Sequence, residues 1–192
     1  YILSVTQTST DGLACESQPV DLAIFSLPAF TVNGDGNVCE ETEGAYIADF
    51  FPGVKYEWAI IPADAGTILS GENTNTIEVF WHQAGNANVE VTRCGSTETT
   101  PVAIIAKPEP VVTGDLFVCP GDATTIGVAG AYDSYLWKTA TGSTITNTPT
   151  ASLSVGAFEL IVTNSFGCEN NLAFEIEGYP EPAVTVSVPG SR

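Results

Sequence analysis

Methionine is absent from this 192-residue chain, and basic side chains are scarce: five lysines and arginines stand against 23 acidic residues, for a net charge of −18. The few cations are spread along the chain, whereas phosphate recognition needs them clustered, so nucleic acid is not an expected partner. The same charge disfavours an anionic membrane surface. No apolar run approaches the about 18 residues of a membrane span, so direct membrane insertion is not expected either.

Histidine is nearly absent too, with His82 as the only example. A Ser-His-Asp mechanism would have to use it, and the chain has no Gly-x-Ser-x-Gly nucleophile motif. Nothing marks a pair of the scattered acids as a glycosidase couple, and the cysteines lie too far apart for a zinc site. We therefore expect no catalytic residue, no metal site and no enzyme activity, with His82 on the surface beside a turn.

The start of the chain lacks the basic segment followed by an apolar one that marks a signal peptide. Tyr1 instead opens in what reads as the middle of a strand. We interpret the chain as a fragment of a longer protein, so the missing signal says nothing about the parent.

Four of the five cysteines frame two similar segments, each with the order Cys-Trp-Cys: Cys39, Trp58 and Cys94, then Cys119, Trp137 and Cys168. The interval from the first cysteine to the tryptophan is nearly the same in both segments. In an immunoglobulin-like sandwich, two such cysteines bridge opposed sheets over a buried indole. The pattern predicts the disulfides Cys39–Cys94 and Cys119–Cys168, with Trp58 and Trp137 in the two cores.

Such bridges persist only in oxidising surroundings, so we expect an extracellular or periplasmic location. The fifth cysteine, Cys15, fits the second position of the same pattern, with its partner upstream of Tyr1. The alternative is that the cysteines are reduced and buried as small apolar residues.

Proline-containing junctions recur along the chain and indicate a tandem array. Leu27-Pro28-Ala29-Phe30, Lys107-Pro108-Glu109-Pro110 and Tyr179-Pro180-Glu181-Pro182 follow one another with a period of about 75 residues. The array predicts the end of a preceding Ig-like domain over 1–26, complete domains over 27–107 and 108–178, and a linker with the first strand of a following domain over 179–192. Prolines favour extended, semi-rigid connections, so the domains should string out.

Short alternating strands, separated by Gly, Pro, Asn and Asp turns, fill both complete domains; Thr76 to Trp81 and Ala87 to Arg93 are examples. No stretch shows a helical period over a helix-length window. The expected fold class is all-β: serial immunoglobulin-like β-sandwiches, each with an inter-sheet disulfide.

Oxygen-bearing side chains that would suit calcium gather near one turn: Asn33, Asp35, Asn37, Glu40, Glu41 and Glu43. The alternative is that a tight turn needs these residue types for its backbone conformation alone. Asp115 or Asp122 would be the candidates for a similar junctional role further along the chain.

Aromatic side chains offer a second kind of candidate site, a platform on which a sugar stacks: Phe50, Phe51, Trp81 and Tyr132. Phe50-Phe51-Pro52-Gly53 reads as a loop, where adjacent aromatics are harder to bury together. The alternative is that this loop packs onto its own sandwich or onto the neighbouring domain.

Two groups of motifs resemble known repeats of surface proteins. PKD-like domains of very large Bacteroidota surface proteins resemble Tyr56-Glu57-Trp58, Ala65-Gly66-Thr67 and Thr76-Ile77-Glu78-Val79-Phe80-Trp81. The Ig-like repeats found beside such domains are similar to Cys119-Pro120-Gly121-Asp122, Tyr135-Leu136-Trp137 and Gly167-Cys168. The Trp-Asp-Phe-Gly-Asp-Gly signature of other PKD domains is absent, since Ala59-Ile60-Ile61 follows Trp58.

The resemblance implies a non-catalytic stalk or spacer of a large secreted or cell-surface adhesin of the gliding-motility type, exported by the type IX secretion route. The partners it implies are the neighbouring Ig-like domains of the same chain, surface glycans, and outer-membrane secretion or motility proteins. No cofactor is expected, with calcium left open. The alternative function is a carbohydrate- or protein-binding module of an adhesin or a polysaccharide-degrading enzyme.

Overall fold

The computed structural model of the chain describes the backbone of residues 2–5 and 20–23 and the whole of residues 28–180. Over these ranges the secondary structure consists of strands and turns, without a helix, and the expected all-β fold is confirmed. In the same residues there is accordingly no helix that could cross a membrane. The chain divides into two compact units, residues 1–31 and residues 32–192.

The first unit contains one strand pair. Strands β1 (Ile2–Val5) and β2 (Val20–Ala23) run antiparallel, with Ile2 opposite Ala23. The segment predicted to end a preceding domain, 1–26, therefore contains two paired strands. Its turn, Cys15 and the strand predicted within 181–192 lie outside the described residues.

The second unit contains two sandwiches. In the first sandwich, one sheet has the order β3-β5-β8-β7 and the other the order β4-β10-β9-β6. In chain order these strands are β3 (Val32–Asn33), β4 (Asn37–Cys39), β5 (Glu43–Ala48), β6 (Glu57–Ile61), β7 (Gly66–Ser70), β8 (Thr76–Trp81), β9 (Gly85–Arg93) and β10 (Ser96–Ile105). This arrangement, in which the last two long strands lie in one sheet with the strand that carries Trp58, is that of an immunoglobulin-like domain.

The second sandwich repeats the plan with a three-stranded sheet, β11-β13-β16, and a five-stranded sheet, β12-β18-β17-β14-β15. Its strands are β11 (Val111–Thr113), β12 (Phe117–Val118), β13 (Thr124–Ala129), β14 (Ser134–Thr139), β15 (Thr144–Thr146), β16 (Thr150–Leu153), β17 (Gly156–Thr163) and β18 (Glu169–Gly178). In both sandwiches a short strand, β4 or β12, pairs parallel with the end of the last strand.

Alternation of apolar and polar residues explains why these segments form half-buried strands. Along β8, Ile77, Val79 and Trp81 are buried while Glu78 points to solvent. Each sandwich has its own core, one built around Tyr46, Trp81 and Val89 and the other around Trp137, Leu160 and Ile176. The two cores are where most of the apolar surface is removed from water.

The tryptophans differ in how deeply they are buried. Trp81 and Trp137 are fully buried, and each meets another ring edge-on, Trp81 with Tyr46 and Trp137 with Phe174. Trp58 is half-buried and packs against the first core from its margin. The exposed face considered for Trp81 is therefore wrong, because period-two alternation along β8 points its indole inward.

The indoles of Trp58 and Trp137 make the same hydrogen bond in their respective sandwiches. Nε1 of Trp58 donates to the carbonyl of Thr74 at 2.8 Å, and Nε1 of Trp137 donates to the carbonyl of Thr148 at 2.8 Å. Each threonine hydroxyl then donates to the carbonyl two residues further on. The sequence repeat thus corresponds to a repeat in hydrogen bonding.

Tyr46 provides a pH-dependent contribution to the stability of the first sandwich. Its hydroxyl donates to the carbonyl of Asp35 at 2.9 Å, and burial, followed by the nearby Asp35 charge, raises its pKa to about 12. Above pH 10 the unfolded chain loses this proton while the folded chain keeps it, so stability should fall as pH rises from 10 to 12.

We expect Tyr46→Phe to cost about 1 kcal/mol at neutral pH, through the lost hydrogen bond, and to flatten the fall in stability above pH 10. Urea unfolding at pH 8 to 11 measures both effects. Tyr179→Phe, at a tyrosine that is 48% exposed, is the matched control and should keep the wild-type pH dependence. An equal slope in Tyr46→Phe and wild type would contradict the prediction.

Candidate functional site at the junction

The two sandwiches meet at a short linker, residues 106–110, which connects β10 to β11. Pro108 and Pro110 lie within it, and a proline ring fixes φ and removes an N–H donor. A segment of this kind is already stiff. Its remaining polar backbone groups decide how firmly it is held to the sandwiches.

Side chains from both sandwiches bind those backbone groups. From the first sandwich, the carboxylate of Glu40 accepts a hydrogen bond from the N–H of Lys107 at 2.8 Å. From the second, three side chains donate to linker carbonyls: Asn164 Nδ2 to Ala106 at 3.0 Å, Asn170 Nδ2 to Pro108 at 2.9 Å and Tyr132 Oη to Glu109 at 3.1 Å. We call the linker together with these four side chains the junction.

A disulfide between Cys39 and Cys168 closes the junction covalently, with a Cα–Cα distance of 5.6 Å. Cys39 ends β4 of the first sandwich, and Cys168 precedes β18 of the second. Cys168 is 1% exposed, and its N–H donates to Oδ1 of Asn164 at 3.0 Å. Asn164 therefore orients the turn that holds the cysteine and binds the linker at the same time.

The predicted pairing Cys39–Cys94 is wrong, and strand register explains why. Cys39 lies opposite Ile105 at the end of β10, whereas Cys94 lies in the turn before Ser96 at its start. The nine residue steps from Ser96 to Ile105 along the extended strand place Cys94 and Cys39 about 30 Å apart. A disulfide needs Cα atoms within about 7 Å, so the two cysteines cannot meet.

The predicted pairing Cys119–Cys168 is wrong for the same reason. Val118, next to Cys119, lies opposite Gly178 at the end of β18, whereas Cys168 precedes the start of that strand. The separation along the strand is again about 30 Å. Cys94 and Cys119 are both exposed and unbonded.

Two of the acidic residues considered for calcium, Glu40 and Glu41, contact the junction. Glu40 accepts from two backbone N–H groups, Lys107 through one oxygen and Ala84 through the other at 3.1 Å. Glu41 forms an ion pair with the Lys107 ammonium at 3.0 Å. In residues 28–180 there is no cluster of three or more His, Cys, Asp or Glu side chains arranged to hold a metal ion.

The other acidic candidates have local contacts. Asp115 accepts a hydrogen bond from the N–H of Phe117 at 3.0 Å, which closes a turn before β12. The N–H of Asp122 donates to the carbonyl of Cys119 at 3.0 Å. These contacts shape the backbone beside Cys119.

The aromatic residues considered for sugar stacking are not brought together. Trp81 is in the core, Tyr132 binds the linker, and the Arg93 guanidinium lies over the Phe51 ring at 4.5 Å. Phe50 is the exposed member of the set, at 68%. Because the rings lie on different parts of the fold, they do not form one platform.

His82 is exposed, as expected for a residue beside a turn. Its Nε2 lies 2.8 Å from the hydroxyl of Thr67, and its ring meets Phe80 edge-on. A groove of about 550 Å³ on the same sandwich is lined by Gly36, Asn86, Ala87, Asn88, Pro101, Val102 and Ala103. None of these lining residues carries a titratable side chain, so the groove supplies no acid, base or nucleophile.

Comparison with known families gives a match, which covers the first sandwich. Residues 26–104 match the family model of the PKD-like domain. The matched residues contain the motifs between Tyr56 and Trp81 that resemble PKD-like domains. The sheet order of this sandwich is that of an immunoglobulin-like fold. No curated protein matches the chain.

Several solved structures are similar to the chain at low sequence identity. A C-terminal 282-residue fragment of intimin, in complex with the intimin-binding domain of its translocated receptor, is 8% identical with a TM-score of 0.49, covering 80% of this chain and 64% of that one. Three immunoglobulin domains of titin are 13% identical with a TM-score of 0.38, and the match covers 80% of this chain and 66% of that one. The Yersinia pseudotuberculosis adhesin InvE is 11% identical with a TM-score of 0.33, and the match covers 77% of this chain and 58% of that one.

Proposed function

We propose that this chain is a load-bearing stalk segment of a secreted or cell-surface adhesin, which holds a functional head away from the cell. The observation that carries the proposal is the junction, where the disulfide and four hydrogen bonds bind the linker to both sandwiches. A disulfide of this kind fits a compartment outside the reducing cytosol.

The contacts of the junction suit a mechanical role because they restrain different motions. Hydrogen bonds to successive linker backbone groups resist bending, each contributing about 1 kcal/mol. The Cys39–Cys168 bond resists separation, since it joins the sandwiches by a second covalent path beside the linker. Under tension the two sandwiches would have to stay together until one of them unfolds.

The finer parts of the proposal rest on the sequence repeat and on the resemblance. In it, 27–107 and 108–178 are two links of an array, 1–26 ends a preceding domain, and 179–192 begins another. The parent is a Bacteroidota adhesin of the gliding-motility type that leaves the cell by the type IX route. Its partners are the neighbouring domains, together with surface glycans and the outer-membrane proteins of secretion or motility.

The two exposed cysteines allow a direct test of stiffness. Spin labels on Cys94 and Cys119, in a Cys15→Ser background, report the distance between the outer ends of the two sandwiches. We expect one narrow distance distribution in double electron–electron resonance. Cys39→Ser with Cys168→Ser and Asn170→Ala should broaden it, because the bond and one linker contact are lost together.

Asn171→Ala is the matched control, since the Asn171 amide donates to Glu159 and not to the linker. Its distance distribution should equal that of the parent protein. A broad distribution in the bridged protein would contradict a stiff stalk. Saturable binding of the chain in a glycan screen would contradict a purely mechanical role and would direct attention to Phe50.

A further inference from the structure

Among the cysteines that the structure describes, two are without a bond, and each lies at an end of a sandwich that faces away from the junction. Cys94 is in the two-residue turn between β9 and β10, and Cys119 directly follows β12. Both are exposed. In an oxidising compartment an exposed thiol is available for disulfide formation.

Each unbonded cysteine occupies the same place in its sandwich as a bonded cysteine in the other. Cys39 is the last residue of β4 and Cys119 directly follows β12, so both lie at the end of the short strand that pairs parallel with the end of the last strand. Cys94 and Cys168 both lie in the turn between the last two strands. Within residues 28–180, the two sandwiches therefore hold one complete bridge and one unbonded copy of each of its two halves.

The segment that follows β18 repeats the sequence of the linker at the junction. Tyr179-Pro180-Glu181-Pro182 follows β18 as Lys107-Pro108-Glu109-Pro110 follows β10. Beside Cys119, the exposed rings of Phe117 and Tyr179 lie 5.7 Å apart. The repeated proline segment thus begins at Tyr179, beside Cys119, the cysteine that corresponds to Cys39.

We propose that Cys39–Cys168 is one link of a serial pattern of disulfides. In this pattern, the cysteine at the end of the short parallel strand of each repeat bonds to a cysteine of the next repeat. That second cysteine, the last-turn cysteine, lies in the turn between the last two strands. Cys119 then bonds to the last-turn cysteine of a following repeat. Cys94, a last-turn cysteine, bonds to the cysteine at the end of the short parallel strand of a preceding repeat. The array is held by a second covalent path at every junction, independently of how much load it bears.

Each bond forms by oxidation of two thiols. The two S–H groups give up two protons and two electrons, and an S–S bond forms between them. The electrons and protons pass to the disulfide of a thiol–disulfide oxidoreductase of the oxidising compartment, which becomes a dithiol. The neighbouring repeat is supplied either by the same chain or by a second copy.

Peptide mapping of the protein secreted from its source tests the pattern. Thiols are blocked with iodoacetamide before lysis, and disulfide-linked peptides are then identified without reduction. We expect the Cys94 and Cys119 peptides to be linked to the corresponding cysteines of adjoining repeats, beside an intact Cys39–Cys168 link. In a mixture of isotopically light and heavy cells, links within a chain carry one label, whereas links between copies also appear as mixed pairs.

Cys119→Ser provides the matched variant. It should release one last-turn cysteine for alkylation while Cys39–Cys168 stays bonded, which also shows that both sandwiches still fold. Complete alkylation of Cys94 and Cys119 in the native protein would overturn the proposal. A Cys15–Cys94 link would overturn it as well, because both are last-turn cysteines in the repeat.

Discussion

Cys39→Ser is expected to free Cys168 and to lower the stability of the described sandwiches by up to about 5 kcal/mol. In the chain-entropy model, this cost follows from the long loop that the bond closes in the unfolded chain, here 129 residues in sequence separation. The hydrogen bonds of the linker remain, so the effect should come from the lost covalent path. Urea unfolding of the oxidised protein and of the variant measures the difference.

Cys94→Ser is the control that separates this bridge from the pairing predicted by spacing. Because Cys94 is exposed and unbonded, its replacement should change stability by less than about 0.5 kcal/mol. If the bond ran from Cys39 to Cys94, both variants would cost the same and each would leave the other cysteine open to alkylation. Equal losses in the two variants would therefore reject the bridge at the junction.

Trp81→Ala is expected to destabilise the first sandwich by about 3–5 kcal/mol, the usual cost of deleting a fully buried aromatic side chain. The indole lies against Tyr46 in the centre of the core, and its removal leaves a cavity that the two sheets cannot close. Hydrogen exchange followed by mass spectrometry resolves the result by strand. Protection should fall in β8 and β9 and change less in β16 and β17.

Trp58→Ala in the same sandwich is the comparison. Trp58 is half-buried and donates one hydrogen bond to Thr74, so its loss should cost about 1–2 kcal/mol. Trp81→Phe, a smaller change, keeps the test usable if the alanine variant does not fold. A larger cost at Trp58 than at Trp81 would show that the core is centred on the other tryptophan.

The strands could be predicted from the sequence because their evidence is local. Thr76 to Trp81 is an observed strand with the predicted bounds, and the predicted strand from Ala87 to Arg93 lies within β9. Alternation of apolar and polar residues needs no knowledge of distant parts of the chain. The same alternation, applied to β8, contains the signal that Trp81 points inward.

The candidate site was harder to predict because its residues have ordinary local explanations. Glu40 and Glu41 look like members of an acidic turn, and Asn170 lies two residues after Cys168 in no recognisable motif. Their partners, Lys107 and Pro108, are distant in sequence, and only the folded chain brings them close. The repeated Pro-Glu-Pro segment was the one sequence signal for the position of the junction.

The sequence by itself determined the all-β class, the two Cys-Trp-Cys segments and the recurring proline junctions, because spacing along the chain reports which strand or turn a residue occupies. Spacing does not report which end of one strand lies beside which end of another. Strand register places Cys39 and Cys94 about 30 Å apart, and the meeting of two sandwiches brings Cys39 to Cys168. Only the tertiary structure could decide that the disulfide joins two sandwiches, because a bond depends on distance in space.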